Sequence, residues 1–378
     1  MKYSLIALTC LVVLSCKTEL DIFEPGKDTV SVYAILNANE PVQNIRINKV
    51  FLTDGDAMLV AKDPTQINFE EGELTVTLER FVDGSDVPAP TTVGNLIKKK
   101  IVLTDTLVNT QGGTFTTRQR LWQTRDKLYS WGDYKLTITN NISGAVYTSV
   151  TSMVDSVKSF GWQQPMPFLY YPNTPGAYPV HGKYPKTVSP ADKLKYLNYV
   201  VLDQVQYIKF YTVPHARTYG MTMRFHYIDT LKNHTTRPGF VDYNFFQNDS
   251  KTTTGGMMME DFHFVQEDFY KNLGYEMSKK DSPDVKRRSA SHIEFIITAG
   301  SDDLATFLKV NEPSKTIAQD KPNYSNIKGG YGIFSSRSVS RLSKDLWPEF
   351  VDKIACNQYT NPYRFCNYLG FEIINVCP

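Results

Sequence analysis

Glu260 and His263, three positions apart and followed by Glu267, form the densest set of groups in this chain that could hold a metal or move a proton. If residues 260 to 277 form a helix, with Phe262, Val265, Phe269 and Leu273 along its apolar stripe, both carboxylates and the imidazole share one helical neighbourhood. That is half of a di-iron ligand set, and the second Glu-x-x-His it needs is absent, so a solvated polar helix face is expected instead. His292 and Glu294 share one side of a strand, but two ligands without a third seldom hold a metal. Ser325-x-x-Lys328 has the spacing of a lysine-activated serine nucleophile, yet the Ser-Asp-Asn and Lys-Thr-Gly partners are missing and a glycine turn follows. Neither Gly-x-Ser-x-Gly nor His-Glu-x-x-His occurs, which removes the readily recognised hydrolases. A carboxylate pair for glycoside cleavage is set by the fold and stays open. No residue set specifies a cofactor or a metal.

The thiols carry a different chemistry. Met1-Lys2 supplies one positive charge, Leu5 to Leu14 is an apolar run, and Val13-Leu14-Ser15-Cys16 follows. The run falls short of the roughly 20 residues a bilayer span needs and suits a secretory leader. The residues around the cut resemble the bacterial lipobox, which implies cleavage after Ser15 and acylation of Cys16. Several acyl chains on one residue anchor a protein stably without a transmembrane helix. Cys10 would leave too short an apolar run before it. Lys17-Thr18-Glu19-Leu20-Asp21 resembles the Lys-plus-acidic export signal of Bacteroidota surface lipoproteins, a solvated tether being the alternative. Four Asp-Ser/Thr-aliphatic triplets, with acceptors Thr29, Thr106, Ser156 and Thr230, resemble Bacteroidota O-glycosylation sites. Of Cys356, Cys366 and Cys377, none forms a Cys-x-x-Cys pair. One disulfide plus one unpaired thiol is expected, with Cys356 to Cys366 as the bridge and buried thiols as the alternative.

The elements that must position these groups are mainly β. At 378 residues the chain accommodates two domains, and its net charge of +2 carries no nucleic-acid footprint. Thr29 to Asn37, Gln43 to Leu52, Leu74 to Val82, Lys99 to Leu107, Thr114 to Trp122, Tyr134 to Thr139 and Val146 to Val154 read as strands. Seven is the count of an immunoglobulin-type sandwich. Gly132-x-Tyr134-x-Leu136-x-Ile138 resembles the tyrosine corner of that fold. The expected organisation is a leader over 1–15, a lipidated tether over 16–28, an Ig-like β-sandwich over 29–155, a Pro/aromatic-rich connection over 156–190 and an α+β domain over 191–378. In that last part strands are expected over 205–213, 219–228, 293–298 and 331–339, with helices over 260–277, 302–308 and 345–355.

Within the connection, residues 163–187 carry Phe168, Tyr170, Tyr171, Tyr178 and Tyr184 among six prolines, so regular structure is disfavoured. Its rings could stack on sugars or line a binding cleft; packing between domains is the competing expectation.

"VYAILNANEPVQNIRINKVFL" and "YSNIKGGYGIFSSRS" resemble matching segments of a family of Bacteroidota outer-membrane lipoproteins known as a domain of unknown function. The resemblance implies an Ig-like start, an outer-membrane lipid anchor facing the cell exterior and company with surface transport systems, and it brings no catalytic residues. The function expected is a non-enzymatic accessory or binding lipoprotein. Its partner would be an outer-membrane transporter, an assembly complex or a glycan. A glycan-active or peptide-active hydrolase in the C-terminal half is the alternative.

Overall fold

The computed structural model describes residues 29–50, 62–81, 100–109, 118–157, 168–170, 205–312, 324–346 and 348–366. Cys16, Tyr171, Tyr178 and Tyr184 lie outside them. The fold is mainly β. β1 (Val30–Leu36), β2 (Gln43–Lys49), β6 (Arg118–Thr124) and β5 (Thr104–Asn109) form one antiparallel run. β4 (Lys100–Val102), β3 (Leu74–Phe81), β7 (Asp133–Asn140) and β8 (Val146–Ser152) form a second sheet. Strict alternation drives this, as in β7, where Tyr134, Leu136 and Ile138 are buried and the residues between them are not. Val32, Ala34, Ile45, Ile47 and Trp122 from the first sheet share one core with Val76, Leu78, Leu136 and Ile138 from the second. The buried Tyr134 hydroxyl accepts the Tyr129 N–H at 3.0 Å, which satisfies its polar end, and burial raises its pKa.

Lys99 to Leu107 is not one strand. β4 pairs with β3, β5 pairs with β6, and Leu103 between them donates its N–H to Val76, so the chain changes sheets at that residue.

The first sheet does not stop at β1. β16 (Tyr331–Asp345) pairs with β1 in parallel through residues 331 to 336, then with β15 (Val285–Ser301) antiparallel through residues 337 to 345. β15 continues to β11 (Ala216–Leu231) and β12 (Thr236–Asn244), with the two-residue β13 (Asn248–Asp249) beside β11. A single sheet therefore crosses the boundary that the sequence suggests between the two halves. Gly332 sits at φ +103° in the parallel pair, and a Cβ there would lie inside the Val32 carbonyl. Next to it, the Asn326 side chain brackets the Phe334 backbone, accepting its N–H at 2.9 Å and donating to its carbonyl at 2.7 Å.

A small sheet of β9 (Phe168–Tyr170), β10 (Val205–Tyr211) and β14 (Met258–Val265) joins α2 (Gln266–Lys280) over one face of β11 and β15. There Met221, Met223 and Phe225 meet Phe262, Phe269 and Leu273. The expected helix over 260–277 is corrected: residues 258 to 265 pair with β10, residues 261 to 264 alternate in burial, and the helix begins at Gln266. Phe262 belongs to the strand and Phe269 to the helix, and both reach the same core, so a strand followed by a helix mimics one helical stripe. α3 (Asp302–Val310) starts as expected, capped by the Ser301 hydroxyl. The last helix, α4 (Pro348–Cys356), begins at its proline rather than at Asp345, which closes β16. A four-residue helix, α1 (Pro64–Ile67), precedes β3.

The Cys356–Cys366 bridge is not formed. Cys356 is disulfide-bonded, whereas Cys366 is buried and outside any disulfide. The Cys366 N–H donates to the Arg288 carbonyl at 2.8 Å, which fixes that residue against β15.

Replacing Gly332 by Ala is expected to cost about 3 kcal/mol or more, because it combines a positive-φ penalty with a backbone collision at the pair joining the halves. Chemical denaturation of the purified variant measures this; a midpoint equal to wild type would refute it.

Candidate functional site

On β11 the odd-numbered side chains enter the core, which leaves Thr222, Arg224 and His226 on the opposite face. Register then assembles a polar cluster from four strands. Arg224 faces Asp242 on β12 and Glu294 on β15, and His226 faces Phe240. Arg224 donates from Nε and Nη2 to the two Asp242 oxygens at 2.7 and 2.9 Å, a bidentate fork, and its guanidinium lies 4.1 Å over the Phe240 ring. The Asp242 hydrogen bonds raise the Arg224 pKa against the opposing effect of burial. The imidazoles of His226 and His292 stack at 4.2 Å with planes 9° apart. Glu294 places one oxygen 3.5 Å from His226 Nε2 and the other 3.3 Å from Arg341 Nη1 on β16.

The pair His292 and Glu294 thus gains His226 as a neighbour, a residue that its own local sequence does not mark as part of a site. Alternation alone puts His226 on the wet face; only the β11–β15 register brings it to His292. His226 Nε2 is buried and makes no hydrogen bond. Among the described residues, no group of three or more His, Cys, Asp or Glu side chains is placed to hold a metal ion. What the cluster offers is fixed charge, imidazole nitrogens and an aromatic edge, groups that hydrogen-bond and stack on a polar ligand. The competing account is the ordinary solvated face of an antiparallel sheet.

The other singled-out residues do not converge. His263 is exposed on β14, its Nδ1 3.0 Å from the Asp261 carbonyl, while Glu267 lies in the first turn of α2. Glu260 is on the strand as well. Hydrogen bonds from Lys271 and the Tyr359 hydroxyl hold the Glu267 carboxyl below its usual range. Ser325 builds a turn, its hydroxyl donating to the Gly330 carbonyl at 3.1 Å and accepting the Ile327 N–H at 3.3 Å. Thr106 is exposed on β5, and Thr29 and Thr230 are half-buried. The Ser156 hydroxyl accepts from Asn39 Nδ2 at 2.7 Å. Phe168 and Tyr170 lie on β9 against β10.

A second cluster sits where β11 and β15 end. Arg288 is fully buried and donates from Nε to Asp229 at 2.9 Å and from Nη1 to the Tyr363 carbonyl at 2.7 Å; its Nη2 lies 2.8 Å from Asp281. Arg237 and Arg364 complete the network, binding Asp229 at 2.8 Å and Asp281 at 2.5 Å. This is a structural knot tying α2, β15 and residues 361 to 366 together.

No family model and no curated protein matches the chain. Among the described residues no helix is long and apolar enough to cross a membrane.

Arg288→Ala should destabilise the protein by about 3–5 kcal/mol in urea titrations, because it empties a fully buried site and leaves the buried Asp229 with only the exposed Arg237 as partner. Burial works to raise the Asp281 carboxyl, but bonds to Arg288 and Arg364 outweigh it and leave its pKa lowered. That contribution to stability is full above the unfolded carboxyl value of about 4 and disappears as pH falls through the lower folded one. Between pH 5 and pH 3 the wild type should therefore lose more stability than Asp281→Asn; parallel losses would refute the linkage.

Proposed function

We propose that the chain is an exported lipoprotein of the Bacteroidota type, acylated on Cys16 behind the leader over 1–15. On this reading it is held at the outer membrane facing the exterior and acts without catalysis, as an accessory or binding module for an envelope transporter, assembly complex or glycan. The observation that carries the binding reading is the state of the acids on the wet face. Asp242 and Glu294 each lie in an ion pair with an arginine, beside the stacked imidazoles of His226 and His292, which presents charge and an aromatic face together to a polar ligand. A rigid arrangement of this kind recognises a ligand at little ordering cost.

The N-terminal half is best read as Ig-like. The strand orders β1-β2-β6-β5 and β4-β3-β7-β8, and the Tyr134 hydroxyl bonded to the backbone five residues upstream, support this. The order Lys2, apolar run, Cys16 supports the anchor.

In cells fed a clickable palmitate, wild-type protein is expected to carry label and partition with membranes, while Cys16→Ser carries none and leaves them. A retained leader with an unmodified Cys16 sulfur would sink the anchor. On an array of envelope glycans and purified outer-membrane proteins, the Arg224→Ala/His226→Ala double variant should bind on the order of tenfold more weakly than wild type, about 1.4 kcal/mol, with an unchanged fold by circular dichroism. Cleavage of an arrayed glycan by the wild type would favour an enzyme.

A further inference from the structure

The end of the C-terminal arm is strongly basic, although the chain as a whole carries only +2. Residues 227 to 231 of β11, 236 to 239 of β12 and 285 to 290 of β15 run on past the last β16 partner, His292 opposite Asp345, and make a three-stranded tip. Lys232, Lys286 and Arg287 are exposed there, and Lys279 and Lys280, also exposed, come alongside from the end of α2. Contacts bring these positions together. The Lys232 N–H donates to the Asp284 carbonyl at 2.8 Å, Thr230 is opposite Arg287, and Lys280 Nζ reaches the Phe240 carbonyl on β12 at 2.7 Å. Against the exposed lysines the tip's surface sets Asp281, Asp284 and Glu276, of which Glu276 pairs with Lys279 and Asp281 with Arg288 and Arg364. The buried acid beneath gives no relief, since Asp229 is matched by Arg288 and Arg237.

Grouped like charges repel one another and cost stability. Here the scaffold holds them in place: the Arg288 knot fastens the tip to α2 and to residues 361 to 366, so the cations cannot separate by local unfolding without breaking a buried ion pair.

We propose that this tip binds an acidic polysaccharide, a polymer whose repeated carboxylates match a cluster of exposed lysines. This rests on the lipoprotein reading above for its choice among polyanions. The tether would enter at Val30, opposite the start of β16, whereas the tip lies beyond the other end of β16, roughly 20 strand residues away. At about 3.3 Å per residue that is on the order of 60 Å, more than the ~45 Å that the residues from Cys16 to Asp28 span when fully extended. Of the partners proposed above a glycan is the polymer that can carry such repeated carboxylates, and the vesicle arm below tests the bilayer's headgroups as the competing polyanion.

The full-length protein, purified in detergent, is titrated with polygalacturonate, with neutral dextran, with phosphatidylglycerol vesicles and with duplex DNA. The expected result is binding to polygalacturonate alone, weakening steeply as salt rises through 0.1–0.2 M, where charges are screened beyond about 8–10 Å. The Lys232→Glu/Lys280→Glu/Lys286→Glu variant should bind at least ~tenfold more weakly with a melting temperature no lower than wild type, since it relieves like-charge repulsion. Equal binding by the variant, equal or tighter binding of DNA or vesicles, or no binding of polygalacturonate would overturn the proposal. Loss of palmitate label with polygalacturonate binding intact would remove the anchor and leave the tip's ligand standing, so the two failures are distinguishable.

Discussion

The parallel pairing of β1 with the first half of β16 is the constraint on which the rest of the structure depends. Ser31 is opposite Tyr331 and Leu36 opposite Ser336, a contact closed across 300 residues of chain. Loop entropy grows only slowly with length, so closing a contact this distant in sequence costs little more at equilibrium than closing a shorter one, and the pair couples the two halves of the chain. β16 takes both roles in succession. Its first six residues complete the sheet of the N-terminal half, and from Arg337 onward it supplies the edge against which β15 and then β11 assemble. Without it, the C-terminal core built on Phe225, Phe295 and Phe269 would keep its own packing and lose its connection to the core around Trp122.

That double role explains why a central strand is so rich in serine. Ser335, Ser336 and Ser338 are buried where the two cores meet, and a buried hydroxyl is costly unless it is bonded. Each has a partner. Ser335 meets the Ser301 hydroxyl at 2.5 Å, Ser336 donates to the Ser152 carbonyl at 2.6 Å and accepts the Val154 N–H at 3.1 Å, and Ser338 donates to the Asp155 carbonyl at 2.7 Å. The chain leaving β8 is thereby stitched along β16, with Asn39 reaching across to Ser156 and the Val339 carbonyl. Met153 enters one core and Val154 the other, so this short polar seam is where one hydrophobic cluster hands over to the next.

Elements whose signal is local were legible in the sequence. Alternation identified β7 and the faces of β11; Ser301 marked the start of α3; the Gly132-Asp133-Tyr134 turn carried the buried hydroxyl now seen bonded to Tyr129. The errors fall where two local patterns join without a break. Residues 258 to 265 and 266 to 280 differ in period yet feed the same core, so a strand and a helix merged into one stripe. Leu103 separates two strands in different sheets with no glycine or proline to announce it. Pairing was not legible at all. The two segments that suggested a known family, residues 32 to 52 and 324 to 338, include the two strands of the parallel pair, and nothing in either one specifies the other as its partner. The wet-face cluster failed for the same reason, because His226 and His292 are neighbours only through the β11–β15 register.

Charge in this protein is divided by depth, and the division sets what each group can do. Arg288 has been removed from water entirely, so its value lies in geometry: it holds Asp229, Asp281 and the Tyr363 carbonyl in one arrangement and would be a liability if any of them left. Arg224, Asp242 and Glu294 are half-buried, where a bidentate fork is strong enough to stay formed and solvent is near enough for a ligand to compete. The lysines of the tip are exposed and contribute little as individual pairs, but together they create a field that reaches a Debye length into solution. The net charge near zero conceals this layering, because it averages a neutralised interior with a surface whose positive end is localised. For recognition of a charged partner, localisation matters more than the sum. The sign of the localised end, and not the average over the chain, decides which polymers approach it.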